Sequence, residues 1–377
     1  MKNQKINPAS ACYNLPWSEN NNPNGWIEPT SYCQLNCPGC YRGLDKENPK
    51  RFHAPLVEMK QQIDRHIKER NVQTISIAGG EPLLYPQILD LVRYASSLGL
   101  KVMIYTNAVA LNKEGLIRLK EAGATKIVIH IDRFQNRPEG KNEKQLLSLR
   151  EKFCSMFREV PGIGLGFIQP ISKDSLADLD ILIPYYQKNS DIISLLVFTL
   201  YKNILWDEKT EKAIDTNISL NDIIERLSSI YNYRPCSIYK NTGSGKEPTW
   251  VFSMNLLSNG RSLGSFDSQM AQTLGQRYYA KKNRYLFITL KHIFPKNAFI
   301  KFFFNPSTTK ALLNYWRLVL LGKIPPFSKV HMQTTLLLRG PNKTNNGWDL
   351  CAGCPDAMYQ GGKLVPSCIL EYLRNNE

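Results

Sequence analysis

An α/β fold with a parallel sheet is predicted by two observations. Between Trp26 and Phe198, short β-branched runs alternate with longer stretches of helical spacing, the pattern of repeated βα units. Three of the runs, at 102–104, 127–129 and 195–198, are continuously apolar, as strands covered on both faces are.

Six units can be followed. Residues 26–31 form the first strand and lead into Cys33, and Leu56–Arg70 places Leu56, Met59, Ile63 and Ile67 on one helical face. Residues 74–78 are the second strand. The helix at 85–98 is ended by Gly99, which takes the left-handed cap position without a Cβ penalty. Lys101–Thr106 is the third strand, 112–122 its helix and Gly123 its stop. The remaining units are strand 126–131 with helix 141–159, strand 164–168 with helix 175–187, and strand 192–199. Beyond Tyr201 the pattern loosens, and 207–215 and 241–248 read as polar surface connections. The expected organisation is an extension at 1–25, a core at 26–200, a basic and partly apolar region at 201–340, and a cysteine-bearing α+β segment at 341–377.

With 377 residues and 42% hydrophobic content, the chain can bury a sizeable core. Residues 1–24 are polar and lack the apolar centre of a secretory signal. The richest apolar stretch, 286–304, is interrupted by Lys291, His292, Pro295, Lys296 and Lys301, so no membrane span is expected and the location is expected to be cytoplasmic. In that setting the nine cysteines read as thiols or metal ligands, not as a disulfide framework. Six form two groups, Cys33/Cys37/Cys40 and Cys351/Cys354/Cys368, while Cys12, Cys154 and Cys236 stand alone. The net charge of +16 is regional: 235–340 holds 15 Lys and Arg against Glu247 and Asp267. Such a face suits an acidic electron donor, an anionic membrane, an acidic substrate or nucleic acid, with an ordinary solvated surface as the alternative.

Cys33-x3-Cys37-x2-Cys40 follows the first strand in a loop that Pro38 and Gly39 keep out of helix. A four-iron cluster takes one ligand per iron, so three thiolates leave one iron open to bind a substrate. A structural zinc site or reactive thiols are the alternative for this group alone. Ile77-Ala78-Gly79-Gly80-Glu81-Pro82 ends the second strand; its glycines let backbone approach a ligand, and Glu81 offers an anionic acceptor or an ordinary helix-entry carboxylate. Thr106 and Asn107 end the third strand, His130 and Asp132 the fourth, and Gln169 the fifth. Functional residues of barrels gather at such strand ends, although hydrogen-bonded structural roles are the alternative for His130 and Asp132.

The cysteine spacing and the Gly79-Gly80-Glu81-Pro82 element together resemble the radical S-adenosylmethionine (SAM) superfamily. The resemblance implies a partial (β/α)6, TIM-like barrel followed by a C-terminal α+β extension. It implies that Cys33, Cys37 and Cys40 hold a [4Fe-4S] cluster whose open iron chelates SAM, and that Gly79, Gly80, Glu81 and Pro82 contact the methionyl amino group. Thr106, Asn107, His130, Asp132 and Gln169 would hold its ribose and carboxylate or the substrate, with 197–199 beside the adenine. The family places an aromatic residue before the third cysteine; here Gly39 stands there, and Tyr41 is the expected substitute. The implied reaction cleaves SAM to methionine and a 5′-deoxyadenosyl radical that takes hydrogen from an unactivated C–H bond. Its electron would come from an acidic donor such as flavodoxin or ferredoxin.

Cys351-x2-Cys354-x13-Cys368 ends the chain, and Gly361-Gly362 can form a hairpin that swings Cys368 back to the other two. This resembles, in part, the SPASM or twitch segments that carry auxiliary clusters. It implies a second iron–sulfur cluster whose fourth ligand is Cys236, a non-cysteine side chain or the substrate; a zinc ribbon-like site is the alternative. Cys12 and Cys154 read as buried apolar residues. Around Lys310, Asn314 and Arg317 a helix apolar over most of its circumference is expected, as a core or subunit-interface element. The other reading is a peripheral membrane contact, with Phe302, Phe303 and Phe304 nearby. Nucleic acid is disfavoured, because aliphatic runs do not stack on bases. The expected substrate is a small or medium apolar metabolite, lipid-like or tetrapyrrole-like. A peptide maturase is the rival enzyme, and a zinc scaffold or nucleic-acid adaptor the rival outside enzymes.

Overall fold

A computed structural model describes residues 11–42, 51–202, 216–231, 233–240, 248–286, 305–344, 347–351, 353–370 and 373. The expected connection at 207–215, most of 241–248, and Phe302, Phe303 and Phe304 lie outside the described residues. β1 (Tyr13–Asn14) and β2 (Asn24–Ile27) precede α1 (Leu56–Arg70). Then β3 (Thr74–Ile77), α2 (Ile88–Ser97), β4 (Lys101–Thr106), α3 (Lys113–Glu121), β5 (Ala124–His130), α4 (Glu143–Glu159), β6 (Gly164–Ile171), α5 (Leu179–Lys188) and β7 (Ile193–Leu200) alternate. The helix expected from residue 85 starts at Ile88, because Pro82–Leu84 forms a short 3-10 turn that Glu81 caps. Strands β2 to β7 are neighbours in chain order and all parallel, the winding of a TIM-type barrel.

The sheet does not stop at residue 200. After α6 (Leu220–Tyr231) come β8 (Ser237–Lys240), β9 (Pro248–Ser258), β10 (Arg261–Ser265), α7 (Ser268–Lys282), α8 (Pro306–Leu320) and β11 (His331–Leu338). β11 lies parallel against β7, and β9, β8 and β1 continue beyond it in an 11-stranded sheet. β7 is thereby covered where it would otherwise present an open edge. Helix α8 buries only one side, through Thr308, Ala311 and Tyr315, so the core-helix expectation holds for that face alone. No helix among the described residues is long and apolar enough to cross a membrane.

Alternation along the strands divides the sheet into two faces. Val102, Ile104, Ile127 and Ile129 join the large cluster under the helices, whereas Met103, Val128, Val197, Trp250 and Leu336 belong to a second cluster on the other face. Two terminal hairpins complete the chain: β12 (Asn342–Thr344) with β13 (Gly347–Asp349), and β14 (Ala357–Gln360) with β15 (Lys363–Pro366). Gly361 and Gly362, at φ 54° and 80°, make the two-residue turn expected of that pair.

The terminal cysteine loop is clamped to the barrel by buried polar groups. Arg70, at the end of α1, is 1% exposed and directs its guanidinium at carbonyls, with Nη2 2.7 Å from Cys354 O and 3.2 Å from Gly353 O, and Nε 3.0 Å from Glu19 O. Asn22 Nδ2 donates to Gly353 O at 2.7 Å and Asn24 Nδ2 to Pro355 O at 3.1 Å. Replacing Arg70 with Met strands these acceptors away from water. The expected cost is at least about 3 kcal/mol in urea unfolding, together with faster alkylation of Cys354; unchanged alkylation would show that the clamp does not hold the loop.

Candidate active site

The carboxyl ends of the parallel strands open on a cavity of about 350 Å³. Cys33, Cys37 and Cys40 line it from the loop after β2, and Gly79, Gly80, Thr106, Asn107, His130, Asp132 and Tyr41 line it from the strand ends and that loop. Glu81, Pro82 and Gln169 do not.

Glu81 is instead the buried tie of the site. Its carboxylate is 0% exposed; Oε1 accepts from Thr106 Oγ1 at 2.6 Å and Leu83 N at 3.0 Å, and Oε2 accepts from Asn107 N at 2.7 Å. Burial pushes its pKa up to about 6 against the opposing pull of those three hydrogen bonds. The direct ammonium contact expected of Glu81 is therefore corrected to a positioning role, because its acceptor sites face the protein. Gly80 serves the same assembly: a Cβ there would lie 2.3 Å from Tyr32 O, and the Gly80 and Glu81 N–H groups donate to Thr30 O and Tyr32 O at 2.8 and 2.7 Å. The glycines thus let this turn pack on the chain entering Cys33.

Asn107 carries the tie to the first cysteine group. Its Nδ2 lies 3.5 Å from Cys33 Sγ and 3.3 Å from Gln34 Oε1. An N–H aimed at a ligand sulfur is the outer-shell support that a bound thiolate uses. The three thiolates on one loop, all facing one cavity, fit a [4Fe-4S] cluster with an open corner. Burial pushes the Cys33 and Cys37 thiols up, so a cluster bound there would have to displace their protons.

At the end of β5, His130 Nε2 faces Asp132 Oδ2 in close contact. Asp132 Oδ1 also caps the following turn, accepting from Phe134 N at 2.6 Å. Both residues line the cavity while serving these structural roles. Gln169 is corrected: it lies on the helix-side face of β6, where Oε1 accepts from Arg150 Nη2 at 3.3 Å, while Ile168 and Pro170 point to the cavity. One position along a strand reverses the face.

Three groups near the site are not evident from the motif alone. Arg137, 1% exposed, joins the ends of β4 and β5 by donating from Nη2 to Asn107 O and, at 2.9 Å, to His130 O. Glu28, 2% exposed, accepts from Trp26 Nε1 at 2.8 Å and Tyr41 Oη at 2.9 Å. Tyr201, just past β7, stands where a side chain on Gly39 would go, since a Cβ at Gly39 would meet Tyr201 Oη at 2.5 Å. An aromatic ring therefore does lie beside the residue preceding Cys40, supplied from the chain just past β7. Tyr41 is tethered to Glu28.

Cys351, Cys354 and Cys368 line this same cavity, together with Asp356. A hydrogen bond from Cys354, aided by Thr249 and Trp250, brings the Cys351 thiol down to about 7, while Cys354 is pushed up. Burial, reinforced by Cys351, raises Asp356 to about 7. Cys236 is corrected as a ligand candidate: it is buried beside β1, with Cys12 and Asp267 as its electrostatic neighbours and a hydrogen bond from the Met254 backbone. Among the described residues no three His, Cys, Asp or Glu side chains close around one point tightly enough for a single metal ion.

Glu81→Gln puts an amide NH2 against either Asn107 N–H or the Leu83 and Thr106 donors. The expected loss is about 1–3 kcal/mol in denaturant unfolding, with reduced retention of iron on the first cysteine group; wild-type values for both would remove Glu81 from its positioning role.

Residues 27–154 match the model of the Radical SAM superfamily. The chain is 29% identical over 176 residues to the 7,8-dihydro-6-hydroxymethylpterin dimethyltransferase of Methanocaldococcus jannaschii, covering 44% of this chain and 34% of that protein. It is 31% identical over 105 residues to the AdoMet-dependent heme synthase of Methanosarcina barkeri, covering 28% and 30%. To the PqqA peptide cyclase of Rhodopseudomonas palustris it is 32% identical over 104 residues, covering 27% of each. The chain spans about a third of the length of these relatives. Because the matched span takes in the first cysteine loop and the turn that Glu81 anchors, it is to the Radical SAM superfamily that residues 27–154 of this chain are similar.

Proposed function

We propose that this chain uses SAM to activate an unactivated C–H bond of an apolar metabolite, lipid-like or tetrapyrrole-like, held between two iron–sulfur clusters. The observation that carries the reading is a single cavity lined by both cysteine groups, with Trp26, Tyr105, Ile168, Trp250 and Leu338 also on its walls. Cys33, Cys37 and Cys40 hold the first [4Fe-4S] cluster, and Cys351, Cys354 and Cys368 hold the second. When bound, the first cluster supplies the electron that cleaves SAM to methionine and the 5′-deoxyadenosyl radical. Backbone at Gly79 and Gly80, with Thr106, Asn107, His130 and Asp132, positions SAM, and Tyr41 and Tyr201 flank its adenine. The apolar wall excludes water and fixes the carbon presented to the radical. An acidic flavodoxin or ferredoxin matches the basic surface as electron donor. Similarity to a peptide cyclase supports a peptide as the second reading.

Cys37→Ala is expected to abolish deoxyadenosine release while leaving iron bound at the terminal cysteines. Undiminished release in dithionite-reduced, anaerobic protein would remove the ligand assignment.

An anionic membrane is the proposed source of the substrate. Leu313, Trp316 and Leu320 on α8, and Leu321 and Phe327 beyond it, are exposed, with Leu320 86% accessible. Lys310, Arg317, Lys323 and Lys329 accompany them, and no acidic residue occurs between Asp267 and Asp349. Each cation near an anionic bilayer contributes about 1 kcal/mol, and the apolar residues enter the interface beside them. The protein should sediment with phosphatidylglycerol vesicles far more than with phosphatidylcholine, and Trp316→Glu with Leu320→Glu should abolish this without changing deoxyadenosine formation from soluble SAM. Equal partition to neutral vesicles, or none to either, would defeat the membrane assignment.

A further inference from the structure

The terminal cysteine group has a fourth donor beside it. Asp356 lies two residues beyond Cys354, after Pro355, and lines the cavity with Cys351, Cys354 and Cys368. Its position relative to Cys368 is set by the backbone, since Ser367 N–H donates to Asp356 O at 2.9 Å and the β14–β15 hairpin closes the chain between them. The partner of Oδ1 is a neutral amide, Asn24 Nδ2, at 3.3 Å. Among the described residues no cation forms an ion pair with this carboxylate: the Arg70 guanidinium is directed at carbonyls, and Arg339 pairs with Asp349 at 2.8 Å. A buried carboxylate that lines the cavity with three thiols, in the field of Arg70 but in no ion pair with it, belongs to an anionic donor set of the kind that a bound metal centre neutralises. No other cysteine is available to it, since Cys236 sits beside Cys12.

We propose that the Asp356 carboxylate is the fourth protein ligand of the cluster held by Cys351, Cys354 and Cys368, an inference that rests on the terminal-cluster reading above. Its consequence is functional. Four protein ligands close the coordination shell, so the terminal cluster carries electrons and does not bind substrate, in contrast to the first cluster with its three.

The test uses full-length protein carrying Cys33→Ala, Cys37→Ala and Cys40→Ala, so that any remaining iron belongs to the terminal site, reconstituted without oxygen. About four iron atoms per chain are expected, with a Mössbauer spectrum containing one iron site distinct from the thiolate-bound ones. Asp356→Cys should retain the iron and abolish that distinct site. Asp356→Asn should open one iron, so that added cyanide shifts the reduced-state EPR spectrum, whereas the Asp356 protein is unaffected by cyanide. If the Asp356 protein already responds to cyanide as Asp356→Asn does, or if Asp356→Cys leaves the spectrum unchanged, the carboxylate is not a ligand and the inference falls. If this background binds no iron, or if adding Cys354→Ala leaves its iron content unchanged, the terminal-cluster reading itself fails, an outcome distinct from the preceding two.

Discussion

A carboxylate with no access to water organises the catalytic end of this barrel. Unpaired burial of Glu81 would cost several kcal/mol, and the three hydrogen bonds that offset this cost come from separate pieces of chain: the turn after β3 and two positions at the end of β4. Once Asn107 is held by its own N–H, its side chain is aimed at Cys33, and its carbonyl is gripped by Arg137, which also holds the end of β5. The positions of the first thiolate and of two neighbouring strand ends thus follow from one desolvated acid. This also explains why the motif needs glycine before Glu81, since only a residue without a side chain lets the turn approach Tyr32 so closely.

The second assembly principle is the completion of the sheet by distant chain. β11 and β9 cover the flank of β7, bringing Trp250 and Leu338 to the cavity. Arg70, Asn22 and Asn24 bind the last cysteine loop through its carbonyls, an arrangement in which a cation on one helix organises a segment with little regular structure of its own. Together they place two cysteine groups, more than three hundred residues apart in sequence, around one cavity.

Helix α8 presents the opposite physical situation. Its apolar residues exceed what one buried face can use, and no acidic residue occurs in the sequence between Asp267 and Asp349. Apolar and basic side chains left together at a surface suit a medium that is itself apolar inside and anionic outside.

Much of the barrel was legible in the amino-acid sequence, because periodicity and caps are local. The bounds of Leu56–Arg70 and Lys101–Thr106, the Gly361-Gly362 hairpin and both cysteine groups follow from residue spacing over a few positions. The face on which a strand-end residue sits was less legible: Gln169 and Ile168 differ by one position, and strand register, decided by neighbouring strands, sends one to the helices and the other to the cavity. Tyr201, Arg137 and Asp356 carry no spacing signal that links them to the first cysteine loop, and Cys236 gave no sign that its neighbour would be Cys12. The sequence by itself determined the repeated βα units and the grouping of the cysteines, since both are written in short-range pattern. Tertiary structure alone decided which polar groups face the ligand and which are consumed in holding the protein together, because that choice depends on the donors and acceptors that distant segments bring into contact.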